Sequence, residues 1–538
     1  MAILPPSQFD PTTKIWSGPK LIFSSNKKES VGQIIFSSLA EHPKNVLQIN
    51  ETEHTTLTNE EVLNLSKRIA LKLIDLGLTS KDFIGIMALN TTYLMPVFYG
   101  SLFVNIPCNP VDVSFTKEAV SHLWSKTKPK LVFCDGNVYG VVKEVIEELK
   151  LKCEIITMNK HVQGVQKIDD LLSSQHIAED SFSALEIENE DQLAVILCSS
   201  GSTGLSKAVT ISNKFCTEMC RLFLDTKENI SLITNSLYWL TGLLSILSAG
   251  VTGATNLVVS ESFNPDIALD LIDKYKVTNT YFSPSNIALV LNSPNIKLKV
   301  LSTGGAKFPI ELRSRIKQKL SPDCKIYYSY GCSEIGLASF QLTEKKLDSS
   351  GFLLFNTEMK IVDENEKNLS SNEDGEIVFR SNNNWQGYYG DRNSSDEVYD
   401  SESRWYRTGD LGHFDEEGYL YIVDRKKEIF KSLGTQISPC EIEEVILEIP
   451  EVSDVCVVGI DDVVAINLPA ALIVKKTQSI LSEDTVQKYV AEKMPYYKHL
   501  TGGVYFIDSI PKTPSGKMLR RVAREKVEQL YLASKLNI

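Results

Sequence analysis

Short apolar runs alternate with amphipathic stretches along most of the chain, and this alternation restricts the fold more than any other feature. The apolar runs predict buried strands at 83–89, 130–134, 154–158, 192–198, 278–283, 298–305 and 325–331. Helical patterns lie between them, for example at 59–78 and 264–277. Strands that alternate with helices predict largely parallel sheets covered by helices, with ligands at the carboxyl ends of the strands.

The pattern changes at about residue 351. Short strands with polar flanks follow at 358–363, 375–380 and 418–425, separated by turn signals such as NEDGE and DEEGY. This predicts an antiparallel or barrel-like segment. After Lys427 helix and strand patterns return for about 110 residues, which is the size of a small domain. A chain of 538 residues is also too long for one core, so we expect a domain boundary near Asp424–Lys427.

The composition excludes some classes of partner. With 56 basic and 68 acidic side chains the formal charge is −12, which argues against nucleic acid because its binding needs a basic face. No run of about 18 apolar residues is present, so we predict no membrane-spanning segment. The ten cysteines form no CxxC pair and the seven histidines no HExxH motif, which predicts a reducing compartment and no structural metal.

The two ends of the chain bear on its location in the cell. The first residues lack the basic and apolar regions of a secretory signal, so we expect a cytoplasmic protein. The letters SKL near the end would be a peroxisomal address only in the last position, and here Asn537 and Ile538 follow them. A peroxisomal location is the alternative only if these two residues are tolerated.

The stretch LCSSGSTGLSK, residues 197–207, has the composition of a phosphate-binding loop. It ends a predicted strand, and Gly201 and Gly204 allow a tight turn that presents N–H groups to an anion. Further donors are Ser199, Ser200, Ser202, Thr203 and Lys207. A P-loop has Gly before its lysine and Ser or Thr after it, whereas this chain has Ser206 and Ala208. The alternative is a flexible surface turn.

The stretch YYSYGCSEIG, residues 327–336, ends another apolar strand. Tyr330 beside Gly331 would stack on a purine where the backbone approaches closely. Glu334 offers an oxygen ligand of the kind that Mg²⁺ prefers. A tyrosine-rich strand end is also typical of core packing, so this stretch alone does not decide between the two.

Two later stretches each present one candidate side chain. In YRTGDLGHFDEEGYLYIVDR, residues 406–425, Asp410 lies in a turn suited to accepting hydrogen bonds from ribose hydroxyls, and a plain hairpin is the alternative. In PKTPSGKMLRR, residues 511–521, a loop shaped by Pro and Gly presents Lys517. A single exposed lysine is usually solvated, so Lys517 gains meaning only beside the other stretches.

In this order and separation, the four stretches resemble the adenylate-forming superfamily of acyl-CoA synthetases, coumarate–CoA ligases and firefly luciferase. The resemblance covers essentially the whole chain, and the ends FDPTTKIWSG and LTGGVYFIDSIPKTPSGK are similar to the insect acyl-CoA synthetase and luciferase branch. It implies an α/β fold with a large N-terminal region of two sheet-with-helices subdomains plus a β-barrel, and a small mobile α+β C-terminal domain. The implied domains are 1–424 and 428–538, with the hinge near Lys427.

The resemblance also implies roles for single residues in ATP binding. The β- and γ-phosphates would bind to Ser199, Ser200, Gly201, Ser202, Thr203, Gly204 and Lys207. The nucleotide would also contact Gly305, Ala306, Lys307, Tyr330, Gly331 and Ser333, with Tyr330 against the adenine. Thr203 and Glu334 would hold Mg²⁺. Asp410 would bind the ribose hydroxyls, and Arg425 the ribose or phosphate.

Catalytic roles follow from the same resemblance. Lys517 would reach from the small domain to the α-phosphate and the attacking carboxylate. Because this attack brings two anions together, Lys207, Lys517 and Mg²⁺ would absorb charge while pyrophosphate leaves. The small domain would then turn for the second step, with CoA as acceptor, and bring in Lys431, Gly434 and Gln436.

Three stretches depart from the family pattern. Ser206 and Ala208 replace Pro and Gly beside the loop lysine, which we expect to be tolerated. Leu433 stands where many relatives have a second lysine, so contacts with the acceptor are expected to differ. Trp239 stands where relatives have a histidine, either as buried core or as a wall of the acid pocket. The expected pocket residues are Trp239, Thr241, Gly242, Ser245 and Gly304.

We therefore expect a monomeric, ATP- and Mg²⁺-dependent enzyme that adenylates a hydrophobic carboxylic acid and transfers it to CoA. One alternative is an insect luciferase-type monooxygenase, in which the adenylate reacts with O₂. Its luciferin would differ from the beetle one, because Tyr238–Gly242 departs from the beetle pattern. Another alternative is a catalytically inactive paralogue. The joint presence of five family residues argues against it: Lys207, Glu334, Asp410, Arg425 and Lys517.

Overall fold

A computed structural model describes residues 4–21, 28–173, 178–199, 206–220, 226–261, 263–291, 293, 295–432, 435–462, 465–513 and 517–536. The strands are β1 Gln8–Asp10, β2 Ile15–Ser17, β3 Val46–Asn50, β4 Thr55–Thr58, β5 Ile84–Met87, β6 Cys108–Pro110, β7 Leu131–Asp135, β8 Glu154–Asn159, β9 Gln166–Lys167, β10 Leu193–Ser199, β11 Lys207–Ser212, β12 Ile230–Ile233, β13 Thr255–Val258, β14 Asn279–Tyr281, β15 Val300–Gly304, β16 Lys325–Cys332, β17 Gly336–Gln341, β18 Phe352–Leu353, β19 Glu358–Val362, β20 Gly375–Arg380, β21 Tyr406–Phe414, β22 Leu420–Arg425, β23 Phe430–Ser432, β24 Thr435–Ile437, β25 Val452–Asp462, β26 Ile466–Lys475 and β27 Gly503–Phe506. The α-helices are α1 Val31–Glu41, α2 Asn59–Asp75, α3 Leu94–Phe103, α4 Lys117–Thr127, α5 Tyr139–Glu148, α6 Ile168–Leu172, α7 Asn213–Cys220, α8 Leu240–Thr252, α9 Pro265–Tyr275, α10 Pro284–Val290, α11 Ile310–Lys317, α12 Arg392–Asp396, α13 Pro439–Leu447, α14 Glu483–Lys493 and α15 Arg520–Leu536. Short 3₁₀ turns lie at Gly136–Val138 and Tyr496–Lys498.

The first sheet has seven strands in the order β11-β10-β6-β5-β7-β8-β9. Its central strands run parallel, as the alternation predicted, while β10 and β11 pair antiparallel. Ser199 at the end of β10 faces Lys207 at the start of β11 across this ladder. The predicted phosphate-binding loop is therefore the connection between two paired strands, and its residues 200–205 lie outside the described part.

The second sheet has nine strands in the order β18-β17-β16-β15-β14-β12-β13-β3-β4. The strands from β16 to β3 run parallel, so their carboxyl ends share one edge. This edge presents Gly304 and the turn after β16 to the same space. Helix placement follows local signals: α2 begins at a capping box, in which Thr58 and Glu61 exchange hydrogen bonds.

The third sheet is antiparallel, in the order β1-β2-β19-β20-β21-β22. It is the segment predicted as a β-barrel, and it has β1 and β22 at its edges. The N-terminal residues of the chain join it, since Trp16 in β2 is the partner of Met359 in β19. Asp410 and Arg425 face each other across the last ladder, between β21 and β22.

The remaining elements form a separate small domain. Its sheet has the order β24-β23-β26-β25, with β27 beside β26, and α13, α14 and α15 pack against it. Its buried side chains form cores of their own. The most extensive core within the described residues includes side chains of all three large sheets and of α1, α2, α3 and α8. None of the helices in the described residues combines the length and apolar character that a membrane crossing requires.

Candidate active site

A cleft of about 2800 Å³ opens between the carboxyl edge of the second sheet, the third sheet and the small domain. It brings together side chains that are far apart in the sequence. The predicted site residues that line it are Ser199, Lys207, Trp239, Thr241, Ser245, Gly304, Gly305, Ala306, Lys307, Tyr330, Gly331, Ser333, Glu334, Asp410, Arg425 and Lys517.

One wall of the cleft is a chain of three polar side chains. The hydroxyl of Tyr330 donates to Asp410 at 2.7 Å, and the guanidinium of Arg425 pairs with the same carboxylate at 2.8 Å. Asp410 raises the pKa of Arg425, and burial followed by Asp410 raises that of Tyr330. The carboxylate is buried and held by partners on both sides, so its position is fixed before any ligand arrives.

A second polar group lies where the first two sheets meet. Glu334, in the turn after β16, is buried and accepts a hydrogen bond from Tyr388 at 2.9 Å. Burial and then Glu334 raise the pKa of Tyr388, which stays protonated and orients the carboxylate. The ammonium of Lys207 lies 4.5 Å from the centre of the Tyr388 ring. Such a cation over an aromatic face is stabilised while it stays available to an anion.

Lys517 enters the cleft from the small domain. Its loop is closed by backbone hydrogen bonds, with the Thr513 N–H donating to the Lys517 carbonyl at 2.7 Å. Burial and the nearby Arg425 lower the pKa of Lys517, while Asp410 and Glu334 oppose that change. Lys517 therefore lies close to both polar groups described above, although it comes from another domain.

Glycines allow the backbone to approach a ligand at this edge. Gly305 has a φ of +75°, and nothing but the hydroxyl of Tyr281 lies near the place of a side chain there. A Cβ on Gly304 would lie 2.5 Å from the Ser329 carbonyl, and one on Gly331 would lie 2.3 Å from that of Gly336. These two positions therefore require glycine, and Ala306 beside them is exposed to the cleft.

The N-terminal end of α8 forms the opposite wall. Trp239 precedes the helix, is half-buried and packs edge-on against Tyr238 with ring centres 4.5 Å apart. It lines the cleft, as do Thr241 and Ser245 one turn apart. Gly242 differs from the prediction: it packs behind the helix, where a Cβ would lie 2.0 Å from the Ser236 carbonyl. This position therefore requires glycine for close packing, and Gly242 is not among the residues that line the cleft.

The residues predicted for a second step lie elsewhere. Lys431 is exposed on β23 and does not line the cleft, in contrast to Lys517. Its partner across the β23–β24 hairpin is Gln436. Gly434 lies outside the described residues, as do the loop residues Ser200, Gly201, Ser202, Thr203 and Gly204.

The segment between the third sheet and the small domain is fixed on both sides of Lys427. Lys426 pairs with Glu376 of β20 at 2.9 Å. Glu428 pairs with Arg520 of the small domain at 2.8 Å. Arg520 is itself buried against Glu443 and donates to the Val457 carbonyl at 2.8 Å. The side chains on either side of Lys427 therefore pair with different bodies, while the N–H groups of Glu428 and Ile429 also donate to the Arg425 carbonyl of β22, at 2.9 and 3.3 Å.

Two contacts join the small domain directly to the body of the chain. Lys307 pairs with Glu444 of α13 at 2.9 Å. Burial alone would lower the pKa of Lys307, but Glu444 outweighs it and the pKa is raised. Asp424, at the end of β22, accepts a hydrogen bond from Ser438 at 2.5 Å. The sequence analysis predicted that Lys307 contacts the nucleotide. The structure shows that Lys307 also has an ion-pair partner in the small domain, Glu444.

The sequence analysis missed several residues of the site. Tyr388 joins Glu334 to Lys207, and its only local sign is the aromatic pair between glycines in QGYYG. Glu376 and Glu444 lie in ordinary strand and helix patterns, which give no sign of their partners. Because each partner lies at least fifty residues away along the chain, only the fold brings these charges together.

Comparison with known proteins follows the same division of the chain. The family model described as AMP-binding enzyme matches residues 35–389, and that of the AMP-binding enzyme C-terminal domain matches 441–517. The chain is 29% identical to a probable 4-coumarate–CoA ligase 1 of Dictyostelium discoideum, over 92% of this chain and 94% of the relative. It is 28% identical to a luciferin 4-monooxygenase of Photuris pensylvanica, over 97% of each. Among solved structures, that of the anthranilate CoA ligase AuaEII with anthranoyl-AMP has a TM-score of 0.86 at 19% identity, covering 94% of this chain and 98% of that one.

Proposed function

The chain belongs to the AMP-binding enzyme family, and on this basis we propose that it activates a hydrophobic carboxylic acid with ATP and transfers the acyl group to CoA. The observation that carries the proposal is the convergence of Lys517 with Asp410, Arg425 and Glu334 in one cleft. A binding protein without catalysis would not need a lysine from a second domain at this place.

In the first step a carboxylate oxygen attacks the α-phosphorus of ATP. The bond from that phosphorus to the bridging oxygen breaks, and pyrophosphate leaves with the electron pair. Asp410 orients the ribose hydroxyls and Tyr330 the base, so the α-phosphorus is held in line with the acid. Lys517 is near enough to neutralise charge that develops between the acid and the phosphate. Lys207 would hold the departing phosphates from the other side.

The residues present also suit Mg²⁺. Mg²⁺ is commonly held by one or two protein carboxylates together with substrate phosphates and water, and Glu334 is a buried carboxylate that lines the cleft. The hydrogen bond from Tyr388 sets the orientation of this carboxylate. Carboxylates that bind a metal are usually oriented by such a neighbouring hydrogen-bond partner. When bound there, the ion would supply positive charge to the phosphate oxygens. Thr203 was predicted as a second ligand and lies outside the described residues.

In the second step the CoA sulfur attacks the acyl carbonyl, the thiol proton is lost, and AMP leaves. Lys431 is predicted for this step but is exposed and outside the cleft. We propose that residues 428–538 turn about Lys427, so that Lys517 leaves and the β23–β24 hairpin enters. The ion pairs of Lys426 and Glu428 support this place for the hinge, because the two side chains pair with different bodies. The turn would break the hydrogen bonds from the Glu428 and Ile429 N–H groups to the Arg425 carbonyl.

The first experiment is acid-dependent pyrophosphate release over a panel of aliphatic and aromatic acids, with and without CoA. We expect release that depends on one class of acid and that multiplies when CoA is added, with the acyl-CoA detected by mass. If none of the acids in the panel causes pyrophosphate release, the proposal is contradicted. The matched control is Lys517→Ala, which should remove the signal without changing the fold.

A second candidate is a luciferase-type monooxygenase, favoured by the similarity to the Photuris enzyme along nearly the whole chain. It shares the first step and differs in the acceptor, which would be O₂. Its signature would be a burst of pyrophosphate that CoA does not extend, with oxygen consumption and light. Acyl-CoA formed in proportion to pyrophosphate would decide against it.

A further inference from the structure

The cleft extends between α8 and the second sheet, and we call this part of it the channel. The channel is lined on one side by a helical stripe, Leu240, Leu244 and Ser248, and on the other by residues of β12 to β15. Thr241 at its upper end and Ser248 at its lower end are seven residues apart, which corresponds to about 10 Å along the helix. This is the direction in which the chain of an acid would extend from the site.

The sheet residues that face this channel can be identified from the alternation of the strands. Leu232, Leu257 and Leu301 pack against α9 on the opposite face. Their neighbours Ser231, Asn256 and Ser302 therefore point toward α8, because successive side chains of a strand alternate. All three neighbours line the cleft.

The lower end of the channel is polar. Ser231 is paired in register with Asn256 on one side and with Asn279 on the other, so the three form one row across the sheet. Asn279 is in turn level with Val300, four residues before Gly304 on β15. At the rise of a strand, four residues place this row about 13 Å below Gly304. Ser248 reaches a similar depth on the helix.

Two polar groups in this row have no partner. Asn256 is 1% exposed and Ser231 is 9% exposed, yet neither the Asn256 Nδ2 nor the Ser231 Oγ has a hydrogen-bond partner within the described structure. Asn279 and Ser248 differ, since each already has a partner. Buried polar groups are nearly always hydrogen-bonded in folded proteins, so an unpaired donor beside a channel indicates a ligand group that completes it.

The channel above this row is apolar. Leu244 and Ile233 line it between the polar row and the nucleotide site. The three residues of the row and Ser248 on α8 are uncharged, so a terminal carboxylate would be buried there without a counter-charge, which is strongly unfavourable. The end of the channel therefore suits a group that forms hydrogen bonds and carries no charge.

We propose that the acid bound by this enzyme has an apolar chain ending in an uncharged hydrogen-bonding group, such as a hydroxyl, which Asn256 and Ser231 bind. This inference rests on the proposed function and specifies its substrate class. Sites that hydrogen-bond a substrate hydroxyl discriminate strongly against analogues without it, because their own polar groups are then left unpaired.

The test compares saturated acids with their ω-hydroxy analogues, in pairs from octanoic to hexadecanoic acid, by pyrophosphate release with the full-length enzyme. We expect the ω-hydroxy acid to have a kcat/KM about tenfold or more above its partner at the chain length that reaches the row. The dicarboxylic acid of that length should be the poorest of the three. Equal rates, or a preference for the plain acid at every length, would overturn the inference while leaving the proposed function intact.

Two variants connect the preference to the channel. Asn256→Leu should remove the preference for the ω-hydroxy acid while keeping activity with the plain acid. Thr255→Val is the matched control, because Thr255 is the next residue of β13, points the other way and donates to the Val46 carbonyl at 2.7 Å. It should leave the ratio unchanged. If no acid of any kind releases pyrophosphate, the proposed function itself is wrong. If Asn256→Leu does not fold, the wild-type ratio still decides.

Discussion

Among single residues, the two lysines of the cleft have different surroundings. Lys207 lies over the ring of Tyr388, a neutral partner. Lys517 lines the same cleft near a cation, Arg425, and near two carboxylates, Asp410 and Glu334. An ammonium group with opposing neighbours is sensitive to substitution and to pH, so Lys517 is the residue at which the mechanism is tested most directly.

Lys517→Ala should lower the adenylation rate constant by orders of magnitude and leave ATP affinity nearly unchanged. The reason is that the contact we assign to Lys517 is made in the transition state and not in the ground state. Single-turnover kinetics with radiolabelled ATP measure the rate constant, and equilibrium binding measures the affinity. A collapse of ATP affinity with an unchanged rate constant would show that the assigned role is wrong.

The pH dependence of adenylation should reflect the lowered pKa of Lys517. The ammonium form is the active one, so activity is lost as pH rises through this pKa. Because burial and Arg425 place the pKa below its ordinary 10.5, the alkaline decline should begin at a lower pH than for an ordinary lysine. The profile of pyrophosphate release against pH measures it. Lys517→Arg keeps the charge and should move the decline to higher pH.

At the scale of elements, local patterns predicted the strands and helices well. The predicted strand at 325–331 is β16, and the predicted helix at 59–78 is α2, which the capping box of Thr58 starts. What the patterns did not predict is pairing over long distances. β2 joins β19 from the far end of the chain, and local hydrophobic periodicity carries no information about such partners.

Local patterns are also insufficient to determine which side chains of the candidate site face the cleft. Asp410 and Lys517 were predicted from the order and separation of four stretches that resemble one family, since each stretch alone had a plain structural alternative. Gly242 was placed in the acid pocket, but it lies one position away from the stripe of α8 that faces the cleft, and packs on Ser236 instead. Neighbouring residues of a helix point in directions about 100° apart, so a motif alone does not determine which of its side chains faces a ligand.

Arg520→Leu should destabilise the small domain. Arg520 is buried at the start of α15 and pairs with Glu443 and Glu428, so its removal leaves Glu443 buried without a counter-charge. Breaking one partner of a buried ion pair costs about 3–5 kcal/mol in free energy of unfolding. Urea unfolding followed by circular dichroism measures the loss.

The control for this prediction is the next residue. Arg521 pairs with Glu525 on the exposed side of the helix, and Arg521→Leu should change the free energy of unfolding by less than about 1 kcal/mol. Equal losses in the two variants would show that the buried cluster is not what stabilises the domain.

Lys431→Ala should spare adenylation and slow the transfer to CoA. Lys431 lies on the β23–β24 hairpin, exposed and outside the cleft that holds Lys517. If the small domain turns between the steps, only the second step involves this hairpin. Acyl-adenylate formation and acyl-CoA formation are measured separately by mass spectrometry. Equal damage to both steps would contradict the proposed turn.

Across the whole molecule, the described arrangement corresponds to the first step of the proposed function. Lys517 lies in the cleft, and the ion pair of Lys307 with Glu444 and the hydrogen bond of Ser438 to Asp424 hold the small domain there. Both contacts must break before the domain can turn. A half-exposed ion pair stabilises by only about 0–1 kcal/mol, so this arrangement is favoured without being locked.

Lys307→Met should therefore slow adenylation by less than about fivefold, which corresponds to the stabilisation of one half-exposed ion pair. Glu444→Gln should have the same effect, and the double variant should be no worse than either alone, because both changes remove one interaction. Rates at low salt should show the largest difference. If only Lys307→Met has an effect, Lys307 acts on the nucleotide, as the sequence analysis predicted.

The short segment between the two bodies has a consequence for timing. If the small domain turns about Lys427, the hydrogen bonds from the Glu428 and Ile429 N–H groups to the Arg425 carbonyl break, and the few residues around Lys427 absorb the rotation. The enzyme then has two exclusive working positions and handles one acid per cycle. If the acceptor is scarce, the activated acid stays bound to the enzyme. The concentration of the acceptor then limits the turnover rate.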